Sequence, residues 1–182
     1  MISTPRYARA SIMLHWGMML LIAATYAAIE LRTFFPKGSD MREGFKSWHF
    51  TLGLCVLALV IVRIAVRLQT KAPPISPAPP AWQALAGRGV HLLLYALMLG
   101  MPLAGWAILS ASGKPIPFFG LSLPPLIGPD KALGSSIKEV HETAGTVGYW
   151  LIGLHAAAAL AHHYWWKDNT LRRMLLFRRN SR

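Results

Sequence analysis

Acidic residues are what this chain has least of: seven Asp and Glu stand against nineteen Lys and Arg, and charged residues make up only 14% of it. A soluble basic protein of 182 residues carries more charge and shorter apolar runs, so a water-soluble globule is a poor reading. Cysteine is nearly absent as well. Cys55 stands alone, which rules out an internal disulfide and any thiolate metal motif. No unit recurs at a fixed period. The apolar stretches also lack the alternation of barrel strands. In lipid, that leaves the α-helix as the structure that satisfies its own backbone.

What is present is four apolar blocks: Ile12 to Ile29, His49 to Val66, Val90 to Leu109 and Thr143 to Tyr164. Each is 18 to 22 residues long, enough for a helix to cross a hydrocarbon core of ~30 Å. The chain is therefore expected to be all-α: an integral membrane four-helix bundle forming a single membrane domain over residues 1–182. The helices are expected at about 11–30, 48–68, 88–110 and 140–166, followed by a basic C-terminal tail. The first block resembles a cleaved leader, with Arg6 and Arg9 ahead of it and Ala27 and Ala28 near its end. It is longer than a usual leader core and contains His15 and Trp16, so a retained first span is expected.

Four crossings put both termini on one side. That side holds Arg6, Arg9, Arg63, Arg67, Lys71, Arg88, Lys167, Arg172, Arg173, Arg178, Arg179 and Arg182, against seven bases on the other. Asp168 is the one acid among them. The excess of Lys and Arg marks the cytoplasmic side. Bases that flank membrane spans imply contact with anionic lipid and no nucleic acid. Residues 72–82 are rich in proline and are expected to form an extended inner loop without helix. Residues 112–130 hold Pro115, Pro117, Pro124, Pro125 and Pro129 and are expected to pack over the outer mouth of the bundle. Arg32 to Lys46 makes a shorter outer loop.

All seven histidines fall in or beside a predicted helix, and ionisable groups inside a membrane are functional candidates by default. His141 and His155 are fourteen residues apart, nearly four turns, so they share a face about 21 Å apart in depth. His162 is seven residues further on the same face. His49 opens its helix at the level of His141, and each is followed four residues later by a glycine, Gly53 or Gly145. These glycines suit either a flat macrocycle or ordinary close helix packing. His15 lies near the inner side, where His155 or His162 can face it, and depth slightly favours His162. His91 opens its helix with no evident partner at its level. Opposed imidazoles across a bundle suit a b-type haem, whose own four nitrogens need only two axial ligands. Zinc would need three or four ligands converging in one place. A bis-histidine haem moves electrons instead of binding substrate at iron.

The stretches SIMLHW (11–16), KSWHFTLG (46–53), VHLLLYALM (90–98), VHETAG (140–145) and GLHAAAALAHHYWWKDNTLRRM (153–174) resemble the bacterial cytochrome b561 family over essentially the whole chain. The resemblance implies two haem b groups in the bacterial inner membrane. It assigns His15 and His155 to the inner haem iron, and His49 and His141 to the outer one. It also implies a superoxide:ubiquinone oxidoreductase, with superoxide oxidised outside and electrons passed through both haems to ubiquinone. His162 is then free to hydrogen-bond a quinone carbonyl, with Trp166 as an aromatic wall. The same bundle would serve a membrane anchor that exchanges electrons with a partner dehydrogenase or hydrogenase. Its short loops offer little docking surface, so no obligatory protein partner is expected. A transporter using histidines for protons or metal is the third reading.

Superoxide is an anion, so a cationic outer mouth built from Arg32, Lys37, Arg42, Lys46, Lys114, Lys131 and Lys138 would raise its on-rate. Six outer acids (Glu30, Asp40, Glu43, Asp130, Glu139 and Glu142) offset these bases unless folding segregates the signs. Ubiquinone reduction consumes two protons, which His162, His163 or His91 can supply near neutral pH. His163 and His91 equally suit an interfacial cap or a haem-propionate contact. Arg63 and Arg67, one turn apart, suit a propionate pairing, although anchoring at the inner surface is the plainer reading.

Overall fold

Ser39 and Asp130 decide where two of the long helices begin. The Ser39 hydroxyl accepts from the Arg42 N–H at 3.4 Å, and the Asp130 carboxylate accepts from Leu133 N–H at 3.0 Å. Each satisfies one of the orphan donors of a helix start. The computed structural model describes residues 6–176. Its helices are α1 (Arg9–Leu31), α2 (Asp40–Gln69), α3 (Ala81–Ala111) and α4 (Lys131–Tyr164), with short 3₁₀ turns at Arg32–Phe34 and Arg172–Met174. All four are long and apolar enough to cross a membrane. The bases Arg178, Arg179 and Arg182 of the expected C-terminal tail lie outside the described residues.

Three helices start well before their apolar blocks: α2 at 40 against an expected 48, α3 at 81 against 88, and α4 at 131 against 140. Hydropathy marks only the longest apolar run of a helix, whereas in α2 and α4 capped polar turns continue the helix beyond it, and in α3 the helix begins at once after Pro80. The helix also takes in Trp82, which the inner loop was expected to include. Pro80 sits at the N-cap of α3, where the missing proline N–H costs nothing.

The outer loop contains a small antiparallel ribbon, β1 (Ile116–Phe118) and β2 (Leu121–Leu123). Phe119 and Gly120 turn it, with φ of 48° and 82°, the left-handed pair that a two-residue hairpin needs. Ile116 is buried with Leu54 of α2 and Leu109 of α3, and Thr51 donates to the Pro117 carbonyl at 3.2 Å. The expected packing of this loop over the bundle is thus met at the outer ends of α2 and α3.

Inside the bundle, Met18, Val56 and Val60 form a buried cluster against Tyr95, Met98 and Leu99. Many large apolar residues, among them Leu20, Ile61, Leu92 and Trp150, are exposed, as residues facing lipid must be. α1 packs on α2, α2 on α3, and α3 on α4. α4 makes no comparable backbone approach to α1 or α2. The gap between them is crossed by side chains, and this is where the histidines lie.

Candidate functional site

The outer level is built by His49 of α2 and His141 of α4. Their ring centres are 6.3 Å apart with an interplanar angle of 82°. The His49 Nδ1–H donates to the Thr25 carbonyl of α1 at 2.9 Å, because a carbonyl can only accept. That bond fixes the tautomer and leaves Nε2 as the bare nitrogen, the second-shell arrangement that orients metal-bound histidines. His141 Nδ1 is buried with no hydrogen-bond partner among the described residues. Gly105 of α3 passes beside His141, where a Cβ would come within 3.6 Å of its Cε1. Of the two glycines one turn below the histidines, Gly53 borders open space, whereas a Cβ on Gly145 would touch Met101 Cε at 3.5 Å. Gly53 therefore leaves room for a bulky group, and Gly145 serves helix packing.

The inner level draws one polar residue from each helix: His15, Arg63, His91 and His155. The rings of His15 and His155 are 6.1 Å apart, and those of His91 and His155 are 5.3 Å apart. Two metal–imidazole bonds of about 2 Å each, plus roughly 1 Å from nitrogen to ring centre at either end, give about 6 Å. Both the His49–His141 and the His15–His155 separations match that length, and the His91–His155 separation falls short of it. The outer level has two imidazoles and the inner level three, and no group of three or more His, Cys, Asp or Glu side chains among the described residues is placed to hold a metal ion; one imidazole pair at haem separation on each level suits a haem better than zinc.

His91 corrects one expectation. It was expected at the mouth of its helix without a partner, yet it lies beside His155. Because α3 begins at Ala81, His91 is ten residues inside the helix, about 15 Å from its start at 1.5 Å per residue.

His162 is engaged elsewhere than at the inner pair. Its Nδ1–H donates to Asp168 Oδ2 at 2.5 Å, and its ring lies 4.9 Å from that of Trp166. Asp168 is buried and also accepts from the Thr170 N–H at 2.7 Å. Burial raises the pKa of this carboxyl, but the hydrogen bonds from His162 and Thr170 outweigh it and hold the group below the ordinary aspartate range. The neighbouring Asn169 and Arg173 are buried too. Asn169 exchanges bonds with Ser76, accepting its N–H at 2.9 Å and donating its own N–H to the Ser76 carbonyl at 3.1 Å. Arg173 reaches the Pro73 carbonyl. The segment after α4 is thereby latched to the inner loop. The sequence reading noted Asp168 only as the lone acid on the basic side; that isolation was the available signal for its role.

On the outer face, Lys46 pairs with Glu43 at 3.0 Å and Lys138 with Glu142 at 3.4 Å. Arg42 donates to the carbonyls of Arg32 and Phe35.

Comparison with known proteins finds named relatives of the chain. The chain is 42% identical over 170 residues to "Cytochrome b561 homolog 1" of Escherichia coli (strain K12), covering 93% of this chain and 97% of that protein. It is 38% identical over 171 residues to "Probable superoxide oxidase CybB" of Yersinia pestis, covering 93% and 96%. It is 27% identical over 181 residues to "Cytochrome b561 homolog 2" of the same Escherichia coli strain, covering 95% and 93%. Residues 6–176 match the family described as prokaryotic cytochrome b561. With four membrane-length helices and paired imidazoles between them, the chain belongs to the prokaryotic cytochrome b561 family, membrane electron-transfer proteins that bind b-type haem.

Proposed function

We propose that this protein holds two haem b groups, one on His49 and His141 and one on His15 and His155, and uses them to oxidise superoxide outside and reduce ubiquinone inside. The observation that carries the reading is the pair of imidazole separations, 6.3 Å and 6.1 Å, at two levels of one bundle. The 38% identity to a protein named as a probable superoxide oxidase supports the choice of substrate. Haem iron with both axial positions filled transfers single electrons without binding substrate. Two superoxide anions each give up one electron and leave as dioxygen. One ubiquinone takes both electrons and two protons to become ubiquinol.

The protein's own residues do the rest. Thr25 holds the His49 ring in place through its carbonyl. Arg32, Lys37, Arg42, Lys114 and Lys131 carry no ion pair among the described residues, and neither do Glu30, Asp40, Asp130 and Glu139, so attraction of a small anion depends on how the two signs are segregated over the outer face. At the inner end, Asp168 holds the Nδ1–H of His162, which leaves Nε2 as the atom that exchanges a proton with a quinone oxygen. Trp166 flanks the ring. In this reading both termini face the cytoplasm, which the excess of bases on that side supports.

The test is superoxide-dependent ubiquinone reduction by the purified chain alone. Activity without a partner supports the proposal. A haem-loaded protein that reduces quinone only when a dehydrogenase or hydrogenase is added would instead make it a membrane anchor.

A further inference from the structure

Arg63 follows His49 on α2 by fourteen residues, so it lies on the same helix face at the inner level. Its Nε donates to the Tyr95 hydroxyl at 3.2 Å and one terminal nitrogen to His15 Nδ1 at 3.2 Å. The other terminal nitrogen is buried with no hydrogen-bond partner among the described residues. The surrounding side chains are three imidazoles and a phenol, with no carboxylate among them. Among the described residues, the acids in ion pairs are Glu43, Glu142 and Asp168, and each is matched to another residue. Arg67, one turn on, lies over the Tyr7 ring at 5.8 Å.

A guanidinium inside a membrane bundle needs an anion, and a buried donor left unpaired costs about 1–3 kcal/mol. Hydrogen-bond chemistry adds a second argument. Arginine has only donors, so its contact makes His15 Nδ1 an acceptor and places the ring proton on Nε2. A histidine that binds metal through Nε2 carries its proton on Nδ1, which would face the Arg63 donor. Binding at His15 therefore expels Arg63 from this contact and frees a second N–H for an anion. Haem brings carboxylates of its own.

We infer that Arg63 is the counter-cation of a carboxylate of the inner haem, and that this pairing sets the affinity and reduction potential of that haem. The inference rests on the assignment of the inner haem to His15 and His155. A retained positive charge stabilises the reduced state, so its removal lowers the potential. The bidentate fork of arginine suits a carboxylate.

The test is a spectroscopic redox titration of the purified holoprotein. His49→Ala first identifies the inner haem as the one retained; loss of both haems or of neither overturns the haem assignment and this inference with it. Arg63→Gln is expected either to lose the inner haem alone or to shift its reduced-to-oxidised ratio at least tenfold toward oxidised, which is 59 mV for a one-electron couple. Arg63→Lys keeps the charge and is expected to retain most of the potential. Both haems bound at unchanged potentials in Arg63→Gln would overturn the inference. Should that variant fail to accumulate, wild-type apoprotein loaded with the dimethyl ester of haem decides the matter, because the ester lacks the carboxylates. Weak loading or the same downward shift at the inner site supports the pairing, and loading and potential equal to those of haem contradict it.

Discussion

The His162–Asp168 contact shows how one residue can serve both chemistry and stability. Asp168 accepts from the ring and from the Thr170 backbone while buried in the inner latch. Asp168→Asn keeps the shape but removes the carboxylate that holds the His162 Nδ1–H. Quinone reduction is expected to fall roughly tenfold to a hundredfold, the usual cost of losing such an orienting partner, with haem content unchanged. Equal turnover would rule out the role. The pH dependence has a fixed sign. The folded pKa of Asp168 lies below its unfolded value, so the stabilisation is complete above about pH 4 and fades as pH falls through the lowered folded value. In detergent, thermal melts of Asp168→Asn should therefore differ from the wild type at pH 7 and converge with it in strong acid. Spacing along α4 put His141, His155 and His162 on one face but left His155 and His162 open as the partner of His15, with depth favouring His162; the family resemblance pointed to His155, and the structure brings that ring to 6.1 Å from His15. The contacts of His91, Arg63 and Asp168 were not legible, because they depend on how far each helix extends and on a latch made by residues far apart in the chain.

At the scale of elements, the approach of α1 to α4 turns on Gly148. A Cβ there would collide with the Tyr26 hydroxyl, which donates to the Gly145 carbonyl at 2.8 Å. Tyr26 also packs on Tyr149 with ring centres 4.3 Å apart, and Tyr149 donates to Glu30 at 2.9 Å. Gly148→Ala should destabilise the bundle by about 1–3 kcal/mol, the typical cost of overpacking. In a Tyr26→Phe background the same change should cost much less, since the colliding oxygen is gone. A double-mutant cycle on melting temperature measures that coupling; additive effects would show that the two helices do not meet here. The apolar blocks announced four helices, and hydropathy located their immersed parts well. It missed the first turns of three helices: the capped, largely polar turns at 40–47 and 131–139, and the uncapped turn at 81–87, which follows the proline-rich loop. The ribbon at 116–123 was also invisible, because its strands are three residues long and set among prolines.

For the whole molecule, the proposed function requires charge and two redox centres to be arranged along the membrane normal. Among the described residues, five bases of the proposed outer side carry no ion pair, against four acids there that carry none either. Steering predicts that the superoxide reaction slows several-fold as ionic strength rises from about 0.01 M to 0.15 M, which shortens the screening length from ~30 Å to ~8 Å. A flat dependence would mean that the six outer acids cancel the field. The account as a whole requires two bis-imidazole centres stacked in one chain, with α4 supplying a ligand to each. Haem quantification by pyridine haemochromogen on pure, full-length protein tests this most directly. The predicted result is two b-type haems per chain; one haem per chain, or a folded colourless protein, would contradict it.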